Sequence, residues 1–184
     1  MIAQALQHEH GAIVTPVLTI SPRADLAVAR TALQQADLIY LGGGDVSLLV
    51  RTLRERELEE LLRQRLAEGA TIVGVSAGAV AAGAWWIEYP DPLPDPPLPF
   101  DGGTLLEGLG LGDFVIDAHA EEDHWEELHH CLGLLAHDRP ERCFMGYGIP
   151  RGGALIVEPD GRVVIEGKAP LRLPGNEQRR PDVM

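Results

Sequence analysis

Apolar positions along the first third of the chain alternate between short continuous runs and helical spacing. Runs over residues 12–20 and 37–41, rich in β-branched and large apolar residues, predict buried strands. Residues 1–10 are helix-compatible. A second helix is predicted after the strand at 12–20, with Ser21 as N-cap and Pro22 as its first residue. Apolar residues at spacings of three and four then predict helices over 46–53 and 58–66, which end before Gly69.

The same alternation continues through the rest of the chain, around a proline-rich break. Residues 71–74 predict a strand that is followed by a helix of small residues. Six prolines within residues 90–99 exclude a helix or a central strand there and predict a long, stiff loop. Beyond it, the pattern predicts a strand at 114–117, a helix at 123–137, a strand at 143–149 and a hairpin from runs at 154–157 and 162–166.

These elements predict an α/β fold. Strands that alternate with helices favour a three-layer, flavodoxin-like sandwich with a mostly parallel sheet, to which the C-terminal β-hairpin is added. A chain of 184 residues with 45% apolar content and a mean hydropathy of −0.01 suits one domain. We expect that domain over residues 1–173, with residues 174–184 as a frayed tail.

Charge and cysteine content narrow the classes of partner and compartment. The chain has 15 basic and 28 acidic residues, a formal net charge of −13. Such a charge repels phosphate backbones and anionic membrane surfaces, so neither a nucleic acid nor a membrane is an expected partner. Because no signal peptide or apolar span is visible and there are two cysteines, Cys131 and Cys143, we expect a cytoplasmic protein with reduced thiols. The sequence does not indicate the oligomeric state.

The clearest chemical motif is Gly-Val-Ser-Ala-Gly at residues 74–78, between the strand at 71–74 and the helix after it. Gly-x-Ser-x-Gly in a strand–turn–helix context is a nucleophile elbow. The two glycines permit a turn too tight for side chains, and Ser76 is held outwards in a strained conformation. The N–H of Ala77, in the first helical turn, is free to stabilise an oxyanion next to Ser76.

A serine nucleophile needs a general base, and His119 is the candidate among seven histidines. His119 follows the end of a predicted strand, whereas the others lie before the first strand or in and beside a helix. Glu121 is placed two residues further on and can orient the imidazole ring. The strand at 37–41 ends in Gly42, Gly43, Gly44 and Asp45, a turn whose backbone amides can approach a ligand closely.

Three segments in this order resemble the peptidase E and cyanophycinase family of serine peptidases: LIYLGGGD, GVSAGA and GLGLGDFVIDAH. The resemblance covers about residues 36–166. It implies a class I glutamine amidotransferase-like fold, with Ser76 as acyl-forming nucleophile, His119 as general base and acid, and Gly44 and Ala77 as oxyanion-hole amides. Gly43 and Asp45 are then substrate-binding candidates. The implied function is hydrolysis of small peptides or related amides, without a metal or a cofactor.

The chain departs from that family's pattern in four ways. Asp45 replaces the usual Asn, and the chain begins at the position of the family's first helix, so we expect the family's opening strand to lie outside it. Acidic residues occupy positions 121–123 and 126–127, where Asp-specific members and cyanophycinases carry arginines, which argues against Asp-Xaa specificity. Finally, the family draws its third triad member from the segment where Asp91 lies, whereas the His-x-Glu spacing of amidotransferases favours Glu121.

Other interpretations remain open at this point. A zinc site in the region 124–131 fits poorly, because His124 and His129 are five residues apart and diverge around a helix. A non-catalytic, small-molecule-binding member of the same fold is a second possibility, since altered specificity residues also accompany lost activity. An amidase or esterase is a third.

Overall fold

The computed structural model describes residues 2–17, 19, 24–90 and 102–175. Its elements confirm an α/β fold. The helices are α1 (Ile2–His10), α2 (Leu26–Gln35), α3 (Val46–Glu55), α4 (Glu59–Ala67), α5 (Ala77–Ala82) and α6 (Glu126–Asp138). The strands are β1 (Leu38–Leu41), β2 (Thr71–Gly74), β3 (Trp85–Glu88), β4 (Thr104–Glu107), β5 (Phe114–Ala118), β6 (Met145–Ile149), β7 (Gly153–Val157), β8 (Val163–Gly167) and β9 (Leu171–Pro174). None of the described helices is long and apolar enough to cross a membrane.

The chain divides into two compact units, the first formed by residues 1–39 and 52–71 and the second by 40–51 and 72–184. In the first unit, α2 packs against α4, and Leu58 and Leu62 are almost completely buried. Arg30 donates to the carbonyl of Arg56 at 2.7 Å, which ties α2 to the turn before α4. That the whole of 1–173 is one domain stays a prediction.

The second unit contains a five-stranded sheet in the order β4-β3-β5-β6-β9. The central pairs β3–β5 and β5–β6 are parallel, whereas β4 and β9 pair antiparallel at the two edges. The sheet is therefore mixed, and the prediction of a mostly parallel sheet is wrong. The pattern of apolar residues within one segment does not encode the direction in which that segment pairs, and here both edge strands pair antiparallel.

Two further pairs of strands complete the described sheets. β1 and β2 pair with each other, and Val75 donates to the carbonyl of Leu41 at 3.1 Å just beyond them. β7 and β8 form an antiparallel hairpin in register from Gly153 with Gly167 to Val157 with Val163. The hairpin matches the predicted runs on either side of the Pro159-Asp160-Gly161 turn.

Helix α6 covers one face of the five-stranded sheet and forms the main core with it. The buried residues of α6 are Leu128, Cys131, Leu132 and Leu135. They pack against Trp85, Ile87 and Val115 of the sheet and against Phe144. Side chains alternate between the faces of a strand, so Trp86 and Ile116 point to the opposite side. Both of those residues are also buried, so the centre of the sheet is buried on both faces.

Three local predictions differ from the structure. The described residues within 12–20 form no strand, and Ile13 is 97% exposed; Pro16 has no N–H to offer a neighbouring strand. Helix α2 begins at Leu26 with Asp25 as its N-cap, whose carboxylate accepts from two N–H groups of the first turn. Ser21 and Pro22 lie outside the described residues, as do 91–99 of the proline-rich segment and 176–184 of the predicted tail. Pro174 itself belongs to β9 and pairs with Met145.

Candidate active site

Ser76 lies between β2 and α5, and its backbone has the conformation of a strained elbow. Its φ of 54° and ψ of −121° fall in a region that residues with a side chain rarely adopt. The turn is closed by hydrogen bonds from Gly78 to the carbonyl of Val75 and from Ala79 to that of Ser76. The side chain of Ser76 is consequently directed out of the strand–helix junction and remains partly accessible.

The two glycines of the motif are required by close backbone contacts. A Cβ at Gly74 would lie 2.5 Å from the carbonyl oxygen of Gly78, and one at Gly78 would overlap the carbonyl oxygen of Leu41. Neither contact can be relieved by a side-chain rotation, because the opposing atoms belong to the backbone. The motif is thus a structural requirement for bringing β1, β2 and α5 together at Ser76.

His119 meets Ser76 across the site. The Oγ of Ser76 and the Nε2 of His119 are 2.8 Å apart, a hydrogen-bond distance. His119 directly follows β5, has a φ of 53°, and donates its backbone N–H to the carbonyl of Ile149 at the end of β6. The pairing of β5 with β6 therefore positions the backbone of His119. The sequence prediction that His119 and Ser76 come together agrees with this geometry.

The glycine turn after β1 passes directly beside the serine. A Cβ at Gly43 would be 3.2 Å from the Cβ of Ser76 and 3.6 Å from its Oγ. Gly44 has a φ of 138°, which favours glycine. No hydrogen bond among the described residues uses the backbone N–H of Gly44 or of Ala77. Both amides are therefore available to a ligand oxygen.

Asp45 has a structural role in addition to any role in the site. Its carboxylate accepts from the N–H of Leu48 at 2.6 Å, three residues into α3, and so caps that helix. The residue is exposed. An Asp serves this capping role as well as the Asn expected from the family pattern.

Among the described residues, Glu121 forms no hydrogen bond with the imidazole of His119. Its carboxylate accepts from the backbone N–H of Arg151 at 2.7 Å. That bond is the main reason why the pKa of Glu121 lies below its usual value. Among the described residues, no hydrogen bond links a carboxylate to the imidazole of His119, and Asp91, the alternative orienting residue, lies outside them.

Asp117 is a further acidic residue of this region that the sequence analysis did not single out. It lies in β5, two residues before His119, and its Oδ2 is buried without a hydrogen-bond partner among the described residues. Burial raises the pKa of the Asp117 carboxyl, and the nearby Asp123 raises it further, although the backbone N–H of Ala118 and the ring of His119 oppose this. An acid two positions before a histidine at a strand end was the available signal.

Two of the three histidines of α6 form hydrogen bonds away from Ser76. The Nδ1 of His130 lies 2.7 Å from the hydroxyl of Tyr89. The Nδ1 of His137 lies 2.8 Å from Oδ1 of Asp138. Within the described parts of the chain, no group of three or more His, Cys, Asp or Glu residues is arranged to hold a metal ion.

A serine on a strand–turn–helix elbow, hydrogen-bonded to a histidine at the end of β5, places the chain among the α/β proteins with a nucleophile elbow. The particular family follows from comparison with known sequences. The chain belongs to Peptidase family S51, whose family model matches residues 2–165. This confirms the resemblance deduced from the three motifs.

Individual relatives agree with this assignment. Peptidase E of Haemophilus influenzae is 36% identical over 133 residues, which are 70% of this chain and 58% of that protein. Cyanophycinase of Trichormus variabilis is 27% identical over 172 residues, 90% of this chain and 54% of that protein. The chain thus spans little more than half the length of the curated relatives that it matches.

A solved structure supports the fold. A Listeria monocytogenes EGD-e protein provisionally named a peptidase E superposes with a TM-score of 0.58 and 20% sequence identity. The match covers 88% of this chain and 74% of that one.

Proposed function

We propose that this protein is a serine peptidase that cleaves small peptides or related amides through an acyl-enzyme at Ser76. The observation that carries the proposal is the 2.8 Å distance between Ser76 Oγ and His119 Nε2 on a strained elbow. A serine hydroxyl is a weak nucleophile unless a base removes its proton, and this pair supplies both groups in hydrogen-bond reach. Family membership supports the same chemistry.

In the proposed reaction, Oγ of Ser76 attacks the carbonyl carbon of the scissile amide while Nε2 of His119 takes the hydroxyl proton. The carbonyl oxygen becomes an oxyanion that accepts from the N–H groups of Gly44 and Ala77. When the C–N bond breaks, His119 returns the proton to the leaving amine. His119 then takes a proton from a water molecule, whose oxygen attacks the ester carbonyl. When the C–Oγ bond breaks, His119 returns that proton to Oγ, so the acid product leaves and the Ser76 hydroxyl is regenerated.

The group that orients His119 is part of the proposal. We retain Glu121 as the candidate, with Asp91 as the alternative. In the structure, the Oε1 atom of Glu121 accepts from the N–H of Arg151. The finer fold assignment, a three-layer class I glutamine amidotransferase-like domain, is proposed on the same motifs.

The decisive test labels the serine directly. A fluorophosphonate probe is expected to modify wild-type protein at Ser76 and not the Ser76→Ala variant, whose melting temperature should stay close to that of the wild type because a partly exposed hydroxyl contributes little to packing. Ser47→Ala, which removes another partly buried hydroxyl, serves as a matched control and should label normally. Equal labelling of wild type and Ser76→Ala would refute the assignment of the nucleophile.

A non-catalytic binding protein is the second candidate, favoured by one observation: no described hydrogen bond orients His119 through a carboxylate. The same probe distinguishes the two functions, because an unoriented pair leaves Ser76 unreactive. Labelling of Ser76 together with hydrolysis of short peptide amides supports the peptidase. Failure of both favours the binding protein.

A further inference from the structure

The segment from His119 to Trp125 joins the end of β5 to the start of α6, and its backbone conformation is unusual. Three of the five non-glycine residues with a positive φ in the described parts of the chain lie in it: His119 at 53°, His124 at 57° and Trp125 at 63°. Residues with a side chain adopt this conformation only at an energetic cost, so the surrounding structure has to hold it. The contacts of this segment therefore decide where His119 is placed.

Trp125 anchors the far end of the segment in the core. It is only 9% exposed and belongs to the main hydrophobic cluster of the second unit. Gly148 of β6 lies directly against the indole, since a Cβ there would be 2.6 Å from Cδ2 and 3.0 Å from Cε2 of Trp125. These are the two atoms at which the indole rings are fused. The middle of the indole thus faces the backbone of Gly148, and a side chain at position 148 would displace it.

His119 anchors the near end of the segment on the next residue of the same strand. Its backbone N–H donates to the carbonyl of Ile149 at 2.8 Å. The pairing of β5 with β6 places Asp117 beside Gly148 and Ala118 beside Ile149. Both ends of the segment are therefore held by consecutive residues of β6.

Hydrogen bonds within the segment connect these two ends. The backbone N–H of Trp125 donates to the carbonyl of Ala120 at 3.2 Å and to Oδ1 of Asp123 at 3.0 Å. Ala120 directly follows His119 and packs against the same hydrophobic cluster as Trp125. A displacement of the indole would thus be passed to Ala120 and through it to the backbone of His119.

We propose that Trp125 is a positioning residue for His119: the indole, packed on Gly148, keeps the His119 backbone where Nε2 reaches Oγ of Ser76. This inference rests on the proposed peptidase function. Trp125 acts through His119 and does not contact the substrate. Because a misplacement of about 1 Å in a reacting geometry can lower a rate about a hundredfold, the 2.8 Å contact between Nε2 and Oγ is sensitive to small shifts of the histidine.

The variant Gly148→Ala tests the proposal, because it directs a methyl group at the indole. The rate of fluorophosphonate labelling at Ser76 should fall about tenfold or more. With a short peptide amide that the protein hydrolyses, kcat should fall by a similar factor while KM stays within about twofold, since the base is misplaced and the substrate is not. Trp125→Phe, which loses the fused ring system, should act in the same direction and serves as the second variant should Gly148→Ala fail to fold.

Gly146→Ala is the matched control. Gly146 lies two residues earlier in β6 and on the same face of the strand, and its Cβ would be 2.5 Å from Cδ1 of Leu132 in α6. The substitution crowds the same core to a similar extent without meeting Trp125. It should lower Tm but change the labelling rate by less than about twofold, whereas a merely structural role of Trp125 predicts equal losses of rate in both variants.

A double substitution shows whether the effect passes through His119. In His119→Ala protein, the residual rate of labelling at a raised probe concentration should be the same with and without Gly148→Ala, because the group that is positioned has been removed. If Gly148→Ala slows the residual reaction as much as it slows the wild type, Trp125 acts by another route and the proposal is wrong.

Hydrogen exchange at the backbone amide of His119 measures the positioning without any activity. Gly148→Ala should speed this exchange about tenfold or more relative to Gly146→Ala, because it loosens the bond to Ile149. If the wild type labels at Ser76 but both glycine variants slow labelling equally, the positioning proposal is wrong and the peptidase proposal stands. If the wild type does not label while exchange at His119 responds to Gly148→Ala alone, the peptidase proposal fails and the placement of His119 by Trp125 is retained. If neither labelling nor this response is seen, both proposals fail.

Discussion

Replacing Asp117 by Asn should make the protein more stable at neutral pH. The Oδ2 atom of this carboxylate is buried and has no hydrogen-bond partner among the residues that the structure describes, and leaving a buried acceptor unsatisfied costs about 1–3 kcal/mol. An amide of the same shape keeps an oxygen that can accept from the backbone N–H groups of Ala118 and Leu128, and it removes the charge that the Asp123 and Glu127 carboxylates repel. For a chain of this size the gain corresponds to a rise in Tm of roughly 2–12 °C.

The sign of the pH dependence follows from the raised pKa of Asp117. Because the folded state holds this proton more tightly than the unfolded state, the stability that the wild-type residue contributes is complete below the unfolded pKa, about 3.9. It is lost as the pH rises through the folded value. The difference in Tm between Asp117→Asn and wild type should therefore be small near pH 4 and largest near pH 8.

Thermal unfolding of both proteins across this pH range measures the effect. The control is Asp37→Asn, an exposed aspartate whose side chain enters none of the described hydrogen bonds or ion pairs, and whose replacement should leave Tm almost unchanged. A variant that is less stable than wild type at pH 8, or a difference that does not vary with pH, would refute the reasoning.

Two further predictions concern the elbow and the orienting acid. Gly78→Ala should abolish probe labelling and lower Tm, because the new Cβ would overlap the carbonyl oxygen of Leu41. The control Gly133→Ala places a methyl group in open space on α6 and should raise the free energy of unfolding by about 0.5–1 kcal/mol. A lower Tm for Gly133→Ala and a higher Tm for Gly78→Ala would contradict this account. Glu121→Gln should lower kcat by about two to four orders of magnitude, and Asp91→Asn much less; steady-state kinetics showing the opposite order would assign the orienting role to Asp91.

Local sequence signals were sufficient for the elements that carry the proposed chemistry. The strand at β2, the glycines of the elbow and the strand end before His119 were predicted because short-range constraints determine them. Gly74 illustrates this, since the backbone contacts that exclude a side chain there lie within one strand–turn–helix unit. The order of three motifs was enough to identify the family, which comparison confirmed.

Strand pairing, in contrast, was decided by tertiary structure. The apolar run at 12–20 has the composition of a strand but has no strand partner in the described residues, whereas β3, β4 and β9 were not predicted and exist because neighbouring edges supply their hydrogen bonds. The mixed sheet follows from those pairings. Period and composition describe one segment, while a strand needs a second segment that is distant in sequence.

The environment of the carboxylates was likewise decided only by the fold. Glu121 has a suitable spacing from His119, yet a backbone N–H thirty residues away holds its carboxylate. Asp117 has the pattern of an ordinary strand residue, yet its Oδ2 is buried without a donor in the part of the chain that the structure describes. Sequence determined which acidic residues are present near the proposed site, and packing determined which of them are desolvated, because solvation depends on all the chain segments that surround a side chain and not on its neighbours in sequence.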